Sequence, residues 1–517
     1  MKKTAKLLAF LLAALLLATA SLTAYADNAL PPEKGNLHIH KYIMPDLAQA
    51  GAPNDGTTGV TLPATADPIG NIVFKVYKIN ASFDPHTSTA PLNEITFVLD
   101  NYDNPTKITT SASEVFTLAG LSATVTTNAS GLATASNLDQ GFYLVVEQID
   151  AANRDAIASV VFPFIVAVPM TNKDGDGWLQ DVHVYPKNGD ISITKSVDRN
   201  AVQLGEEVTW TIVVSVPADI THYKQFDVTD QLDTSLDYLA DTLKVYGMMT
   251  EAEAGTLVAQ TGGRAAVAVD ATNKLTLSFS QLGRDAIAAY KFIRIELVTK
   301  TNQNILDRAV YTVENSAKVE FQNKFDSVSR VRETPKVRVH SAAIQINKVD
   351  ANNANAPLPN AQFQIASSEA NAKNGRFIKK ITVGGKVSLV DYGQAGWDTA
   401  ADWVVTSTGA GIVLFDGLKA YLGMKTSPTF LTYWIVETKA PDNYNLLAAP
   451  IVVTFSAANL GENNLVSGIT CTNTNKFTLP KTGGTGTILF TAGGVSLILV
   501  AAFLLLMGAR KKKEKAR

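Results

Sequence analysis

The chain of 517 residues contains one cysteine, Cys471. An internal disulfide is therefore impossible, and so is any zinc site built from several thiolates. The six histidines (His38, His40, His86, His183, His222, His340) are scattered and never fall into HExxH spacing. GxSxG, Walker A and GxGxxG patterns are absent, so the common hydrolase, phosphate-loop and dinucleotide-binding classes have no foothold. Charged residues make up 18%, below the usual ~25%. The formal net charge is −2, without the concentrated Lys/Arg footprint that nucleic-acid binding demands. Long amphipathic helical periodicity is also missing. No metal and no cofactor are expected, and nothing in the composition suggests an enzyme.

The two ends carry processing signals. Lys2, Lys3 and Lys6 precede an apolar run from Leu7 to Ala18, and Ala24-Tyr25-Ala26 is a small-x-small cleavage site. Residues 1–26 thus read as a secretory signal peptide; the run is too short to span a bilayer. At the other end, Leu479-Pro480-Lys481-Thr482-Gly483 precedes an apolar stretch from about Thr487 to Ala509, and a basic tail, Arg510 to Arg517, follows. The stretch is long enough to cross a membrane, and the tail keeps to the cytoplasmic side. The mature chain is expected outside the cell.

Between the ends, short alternating runs rich in Thr, Val, Ile, Ala and Asn predict an all-β, sandwich-type fold. Hydrophobic residues, at 46% of the chain, suffice for several cores, and the length suggests roughly three domains. One device occurs three times: Leu37-His38-Ile39-His40-Lys41, Ile191-Ser192-Ile193-Thr194-Lys195 and Ile344-Gln345-Ile346-Asn347-Lys348. Strand side chains alternate faces, so each lysine points inward with two aliphatic residues. A buried, unpaired ammonium is costly and demands a partner or a chemical change. In the first and third segments the partner is an in-phase glutamate, Glu147 in Tyr143–Glu147 and Glu437 in Tyr433–Glu437. These segments also share Pro68–Phe74 and Pro357–Phe363. In the middle segment, Phe226, Val228, Asp230 and Leu232 share a face, which selects Asp230 over Asp227.

An asparagine in the same inward phase closes each segment: Asn188 after Val182 and Val184, Asn315 after Tyr311 and Val313, Asn473 after Ile469 and Cys471. Lysine, asparagine and a buried acid are the ingredients of an intramolecular isopeptide bond. Burial lowers the lysine's pKa and raises the carboxyl's. The neutral amine then attacks the asparagine carbonyl, the acid shuttles protons and ammonia leaves. The expected bonds are Lys41–Asn188 with Glu147, Lys195–Asn315 with Asp230, and Lys348–Asn473 with Glu437; Asn475 is a second choice in the third segment. Cys471 reads as a buried, inert thiol. Asn172–Gly177 resembles the start of a calcium loop, but its twelfth position is His183 rather than glutamate, so it reads as a turn.

Taken together, these motifs resemble the major (backbone) pilins that sortases assemble into covalent pili on Gram-positive bacteria. The resemblance rests on the sorting signal Leu479–Gly483, on Tyr433–Glu437 followed by Thr438-Lys439-Ala440-Pro441 (the E-box), and on Tyr185-Pro186-Lys187-Asn188 with Trp178 upstream (the pilin motif). It implies three tandem immunoglobulin-like sandwiches of the collagen-adhesin B, A and B types, over residues 27–188, 189–340 and 341–478. The sorting motif at 479–483 and a membrane helix with its basic tail at 484–517, removed on maturation, would follow. It also implies cleavage between Thr482 and Gly483 by a pilus-specific sortase. Thr482 would be transferred to Lys187 of a neighbouring copy, with accessory pilins and peptidoglycan as further partners and host surface ligands as targets. Strand alternation independently turns Lys187 outward if Asn188 faces the core. The competing reading is a monomeric wall-anchored adhesin that binds host ligand directly and has no use for Lys187.

Overall fold

A computed structural model describes residues 31–44, 54–80, 97–110, 113–148, 161–258, 260–308, 310–324, 328–476 and 486–514. The signal peptide and the sorting motif 479–483 lie outside the described residues. The fold is mostly β, as the alternation predicts.

In the first segment, the opening strand Lys34–His40 lies between Leu132–Asp139, antiparallel, and Asp181–Val184, parallel. Leu37 and Ile39 point inward and are fully buried. They face a six-stranded sheet in which Val73–Ile79 and Gly141–Gln148 are adjacent inner strands, and Phe74, Val76, Tyr143, Val145 and Val182 complete the core between the sheets. The strand Gly141–Gln148 departs from simple alternation. Leu144 and Val146 are as buried as Tyr143 and Val145, because a second apolar cluster with Tyr77, Ile79, Phe97 and Ile108 covers the sheet's other face.

In the middle segment, a sheet centred on Glu207–Ser215 and Phe292–Thr301 packs against one centred on Tyr223–Gln231, which pairs with Lys274–Phe279 and Ala317–Asn323. Trp210 is fully buried, and its indole nitrogen donates to Thr299 Oγ1 at 2.9 Å. Tyr311, expected in phase with Val313, precedes the strand Thr312–Asn315 and has a positive φ of 49°.

The third segment repeats the layout of the first. Ala342–Asp350 pairs parallel with the closing strand Leu465–Asn473 and antiparallel with Ile412–Leu418, opposite a sheet containing Gln362–Ala366 and Thr432–Lys439. One apolar cluster runs through the middle and third segments without a break. Leu204 donates its N–H to Gly417 O and accepts from Leu389 N, both at 2.9 Å, and Asn464 Nδ2 reaches Val310 O at 2.8 Å. The helix Gly486–Glu514 includes a stretch, Gly486–Lys511, long and apolar enough to cross a membrane.

Candidate functional site: three buried lysine–acid–asparagine clusters

In the first segment, Lys41 Nζ lies 2.6 Å from Asn188 Oδ1 and 3.0 Å from Glu147 Oε2. Asn188 Nδ2 donates to Glu147 Oε1 at 3.1 Å. Lys41, Glu147 and Asn188 are at most 1% exposed. Burial pulls the Lys41 amine down to about 8, against the opposing pull of the Glu147 carboxylate. Burial thus shifts the amine toward the neutral form that a nucleophile needs.

The third segment carries the same arrangement. Lys348 Nζ donates to Asn473 Oδ1 and stands 3.8 Å from Glu437 Oε1. Asn473 Nδ2 donates to both Glu437 oxygens, at 2.9 and 3.0 Å. In the parallel register Lys348 stands opposite Cys471, so Asn473 is the next inward residue along the closing strand. Asn475 is exposed and engages Tyr444 and Asn445 instead, so it does not meet Lys348. Cys471 is buried, and burial raises its thiol's pKa.

The two clusters agree in details that sequence reading did not reach. Phe74 stands opposite Glu147 across the sheet, and Phe363 opposite Glu437. A backbone N–H holds each carboxylate: Val161 N to Glu147 Oε2 at 2.7 Å, Leu447 N to Glu437 Oε2 at 2.9 Å. Each lysine's own N–H donates to a glycine carbonyl, Gly131 or Gly411, at 2.7 Å. Those glycines have φ of +76° and +74°, and an added Cβ would fall 2.5 Å from Lys41 O and 2.3 Å from Lys348 O. Only glycine fits there. Thr127 and Ser407 play equivalent parts, each hydroxyl donating to a loop carbonyl (Ile69, Leu358) and accepting from a loop N–H (Ile72, Ala361).

The middle cluster is built differently. Lys195 donates to Asp230 Oδ2, and Asn315 Nδ2 reaches the same oxygen at 3.5 Å. The Lys195 and Asp230 side chains are fully buried, and burial lowers the Lys195 amine and raises the Asp230 carboxyl. Asp230 Oδ1 and Asn315 Oδ1 are buried without a hydrogen-bond partner. Trp210 lies beside the amine, its ring centroid 5.0 Å from Nζ. Asp227 instead accepts from Gln225.

Lys187 sits on the outer row of its strand, next to the inward Asn188. It is half-buried rather than open to solvent, and that burial lowers its amine's pKa. Trp178 is partly exposed, in a hairpin with Met170–Thr171. The calcium-loop look-alike is the tight turn of that hairpin, where Asn172 Oδ1 accepts from Asp176 N and Gly177 N. Among the described residues, no group of His, Cys, Asp and Glu has the arrangement to hold a metal.

Known proteins place these features in context. Residues 32–189 match the family model of the Gram-positive pilin subunit D1 N-terminal domain. Residues 342–468 match that of the SpaA prealbumin-like fold domain, and residues 472–515 that of the LPXTG cell wall anchor motif. The chain is 25% identical to fimbrial subunit type 2 of Actinomyces naeslundii, over 93% of this chain and 91% of that one. It is 24% identical to fimbrial subunit type 1 of Actinomyces viscosus, over 98% of each. Its fold is similar to that of the full-length major pilin SpaD of Corynebacterium diphtheriae, with a TM-score of 0.54 at 22% identity over 86% of this chain and 98% of that one. The major pilin SpaA of the same organism gives 0.51 at 21%, over 86% and 100%. With a Gram-positive pilin domain at its start, a prealbumin-like domain in its third segment, an LPXTG cell wall anchor motif at its end and fimbrial relatives along nearly its whole length, the chain is similar to Gram-positive fimbrial subunits and reads as a cell wall-anchored surface protein.

Proposed function

We propose that this chain is the shaft subunit of a covalent pilus, joined head to tail through Lys187 and Thr482 and braced internally by three lysine–asparagine isopeptide bonds. The observation that carries this reading is the triple recurrence of a buried lysine, acid and asparagine, beside a lysine one residue from the first asparagine. In each cluster the neutral amine attacks the asparagine carbonyl carbon. A C–N bond forms, the carboxamide nitrogen leaves as ammonia, and the acid carries the proton from the lysine nitrogen to the leaving nitrogen. The burial-lowered Lys41 and Lys195 and the burial-raised Asp230 favour the neutral pair this requires. Between subunits, the partner would be a pilus-specific sortase holding Thr482 as a thioester until Lys187 of another copy takes it. The fibre's last subunit would reach peptidoglycan, and accessory pilins would join the same chemistry.

The test is a cell-wall extract from the producing bacterium. A ladder of SDS-resistant high-mass bands is expected, and it should vanish with Lys187→Ala. Peptide mapping that finds Thr482 joined only to peptidoglycan, never to Lys187, would refute polymerisation. An intact ectodomain mass without the loss of about 17 Da per bond, the mass of ammonia, would refute the internal bonds.

A further inference from the structure

The parallel ribbon that closes the first segment has two rows. Its inner row carries Lys41 and Asn188. Its outer row is aromatic, with rings contributed alternately by the two sides. His38 stacks on His183 with centroids 4.5 Å apart and planes 12° apart. His183 stacks on His40 at 5.2 Å and 28°, and His40 on Tyr185 at 4.5 Å and 8°. Tyr185 is followed by Tyr42 at 6.5 Å and 17°. His40 Nε2 and His183 Nδ1 share a hydrogen bond of 2.9 Å, and Thr134 and Asp181 hold the ring nitrogens of His38. The next residue of this comb is Lys187, directly opposite Tyr42 in the parallel register.

The position of the stack is its significant feature. The strand bearing Lys187 is only three residues long, Lys187–Gly189, and pairs with another of three, Tyr42–Met44. Pro186 precedes it and donates no N–H to the ladder; its carbonyl accepts from Tyr42 N at 3.2 Å. Backbone pairing is thus short at the residue that must be aimed. Parallel ring planes are stiff, pack in offset stacks and leave few rotamers.

We propose that Tyr42, Tyr185 and the hydrogen-bonded His40–His183 pair are positioning residues for Lys187, holding its strand and the foot of its side chain so that the amine meets the acyl donor in one orientation. This rests on the reading of Lys187 as acceptor. In that step the lysine nitrogen attacks the Thr482 carbonyl carbon. The C–N bond forms, the C–S bond to the sortase cysteine breaks, and the proton shed by nitrogen ends on the departing sulfur. Orientation of a bound nucleophile is a large part of such a barrier, so a loosened stack should slow transfer without touching the internal bond.

The experiment is transpeptidation in vitro with the full ectodomain as acceptor, a pilus-class sortase and a Leu-Pro-Lys-Thr-Gly donor peptide. Acceptor kcat and KM would be read beside intact mass and melting. Tyr185→Ala should lower kcat/KM for the acceptor at least tenfold while keeping the internal mass loss, and Tyr185→Phe, which keeps the ring, should restore it. Should Tyr185→Ala lose the internal bond, Tyr185→Leu and Tyr42→Leu test the same point, since they keep bulk without a plane. Values within twofold of wild type for folded ring-less variants would overturn the positioning role. Transfer that survives Lys187→Ala would instead overturn the acceptor reading on which it rests.

Discussion

Replacing Lys348 by methionine should remove the covalent tie between the paired opening and closing strands of the third segment. Methionine fills much of the lysine's volume and leaves no ammonium in a site that is fully buried. The bond it deletes would close a loop of 125 residues. In the chain-entropy treatment of crosslinks, a loop of that size contributes about 5 kcal/mol through the unfolded state. Unfolding entropy near 2.1 cal/mol/K per residue converts this into a melting shift of about 17 °C if some 140 residues melt alone. The apolar cluster continuous from Ile191 to Cys471 argues for a larger unit. If the middle and third segments melt together, the shift falls to about 8 °C. The assay is calorimetry of the whole ectodomain with intact mass on the same sample; an isolated third segment would lose Leu204 and its neighbours. Glu437→Gln is the control, since it keeps Lys348 and Asn473 but removes the proton shuttle. Both variants should lack the third ammonia loss and melt about 8–17 °C lower. A shift below about 3 °C with the bond demonstrably absent would refute the entropic argument. A retained mass loss in Glu437→Gln would refute the role of that carboxyl.

Gly411→Ala should impede the same bond from the other side, because its Cβ would fall 2.3 Å from Lys348 O at a φ of +74°; intact mass against time after refolding checks this, and wild-type kinetics would contradict it. In Asn188→Ala, Lys41 stays a free amine and should titrate near 8 rather than 10.5, with that variant's stability complete above 10.5 and declining as pH falls toward 8; an NMR midpoint above 10 would exclude burial as the controlling factor. Burial, followed by neighbouring histidines, lowers both His40 and His183 below 6.5. The unfolded chain therefore binds more protons in acid, and stability should be complete above about 6.5 and fall as pH drops through the lowered values. Melting scans at pH 7.5 and 5 read this, and the double variant His40→Phe, His183→Phe should flatten the dependence.

Much of the clusters' geometry was legible in the sequence because strand alternation is a strict rule. Once Leu37 and Ile39 face inward, Lys41 does too, and the same logic selects Asp230 over Asp227. Less legible were partners supplied by backbone. Val161 and Leu447 hold the carboxylates through N–H groups that every residue but proline possesses, so no residue type signals them. Gly131 and Gly411 are two among many glycines until the fold brings each beside a lysine carbonyl. Single-strand alternation also could not reveal that Leu144 and Val146 have a second cluster above them. Nor could it show that the third segment's core continues into the second, since the contact at Leu204, Leu389 and Gly417 joins residues far apart in sequence. The ring stack escaped for another reason: His38, His40 and Tyr42 look like ordinary outward positions until His183 and Tyr185 interleave with them.

On the proposed linkage the three internal bonds are not mechanically equivalent. A subunit in a stretched fibre is held at Lys187 and at Thr482, so tension follows the chain between them. That path enters beside Asn188 and leaves residues 27–186 on a side branch. Lys41–Asn188 therefore bolts the first segment to the load path without itself lying on it. The other two bonds act in series: Lys195–Asn315 and Lys348–Asn473 bypass 120 and 125 residues. At about 3.4 Å per extended residue, roughly 830 Å of chain is withdrawn from stretching, and about 170 Å remains extensible. On that reading, an exported chain without cystines would resist extension through amides that thiols cannot reduce. Single-molecule stretching from Lys187 to the C-terminal end of the ectodomain should show no unfolding step beyond about 170 Å in the wild type. Lys348→Met should add about 425 Å, whereas Lys41→Met should add nothing. Extra length from Lys41→Met would show that the first segment lies on the load path and that Lys187 is not where tension enters.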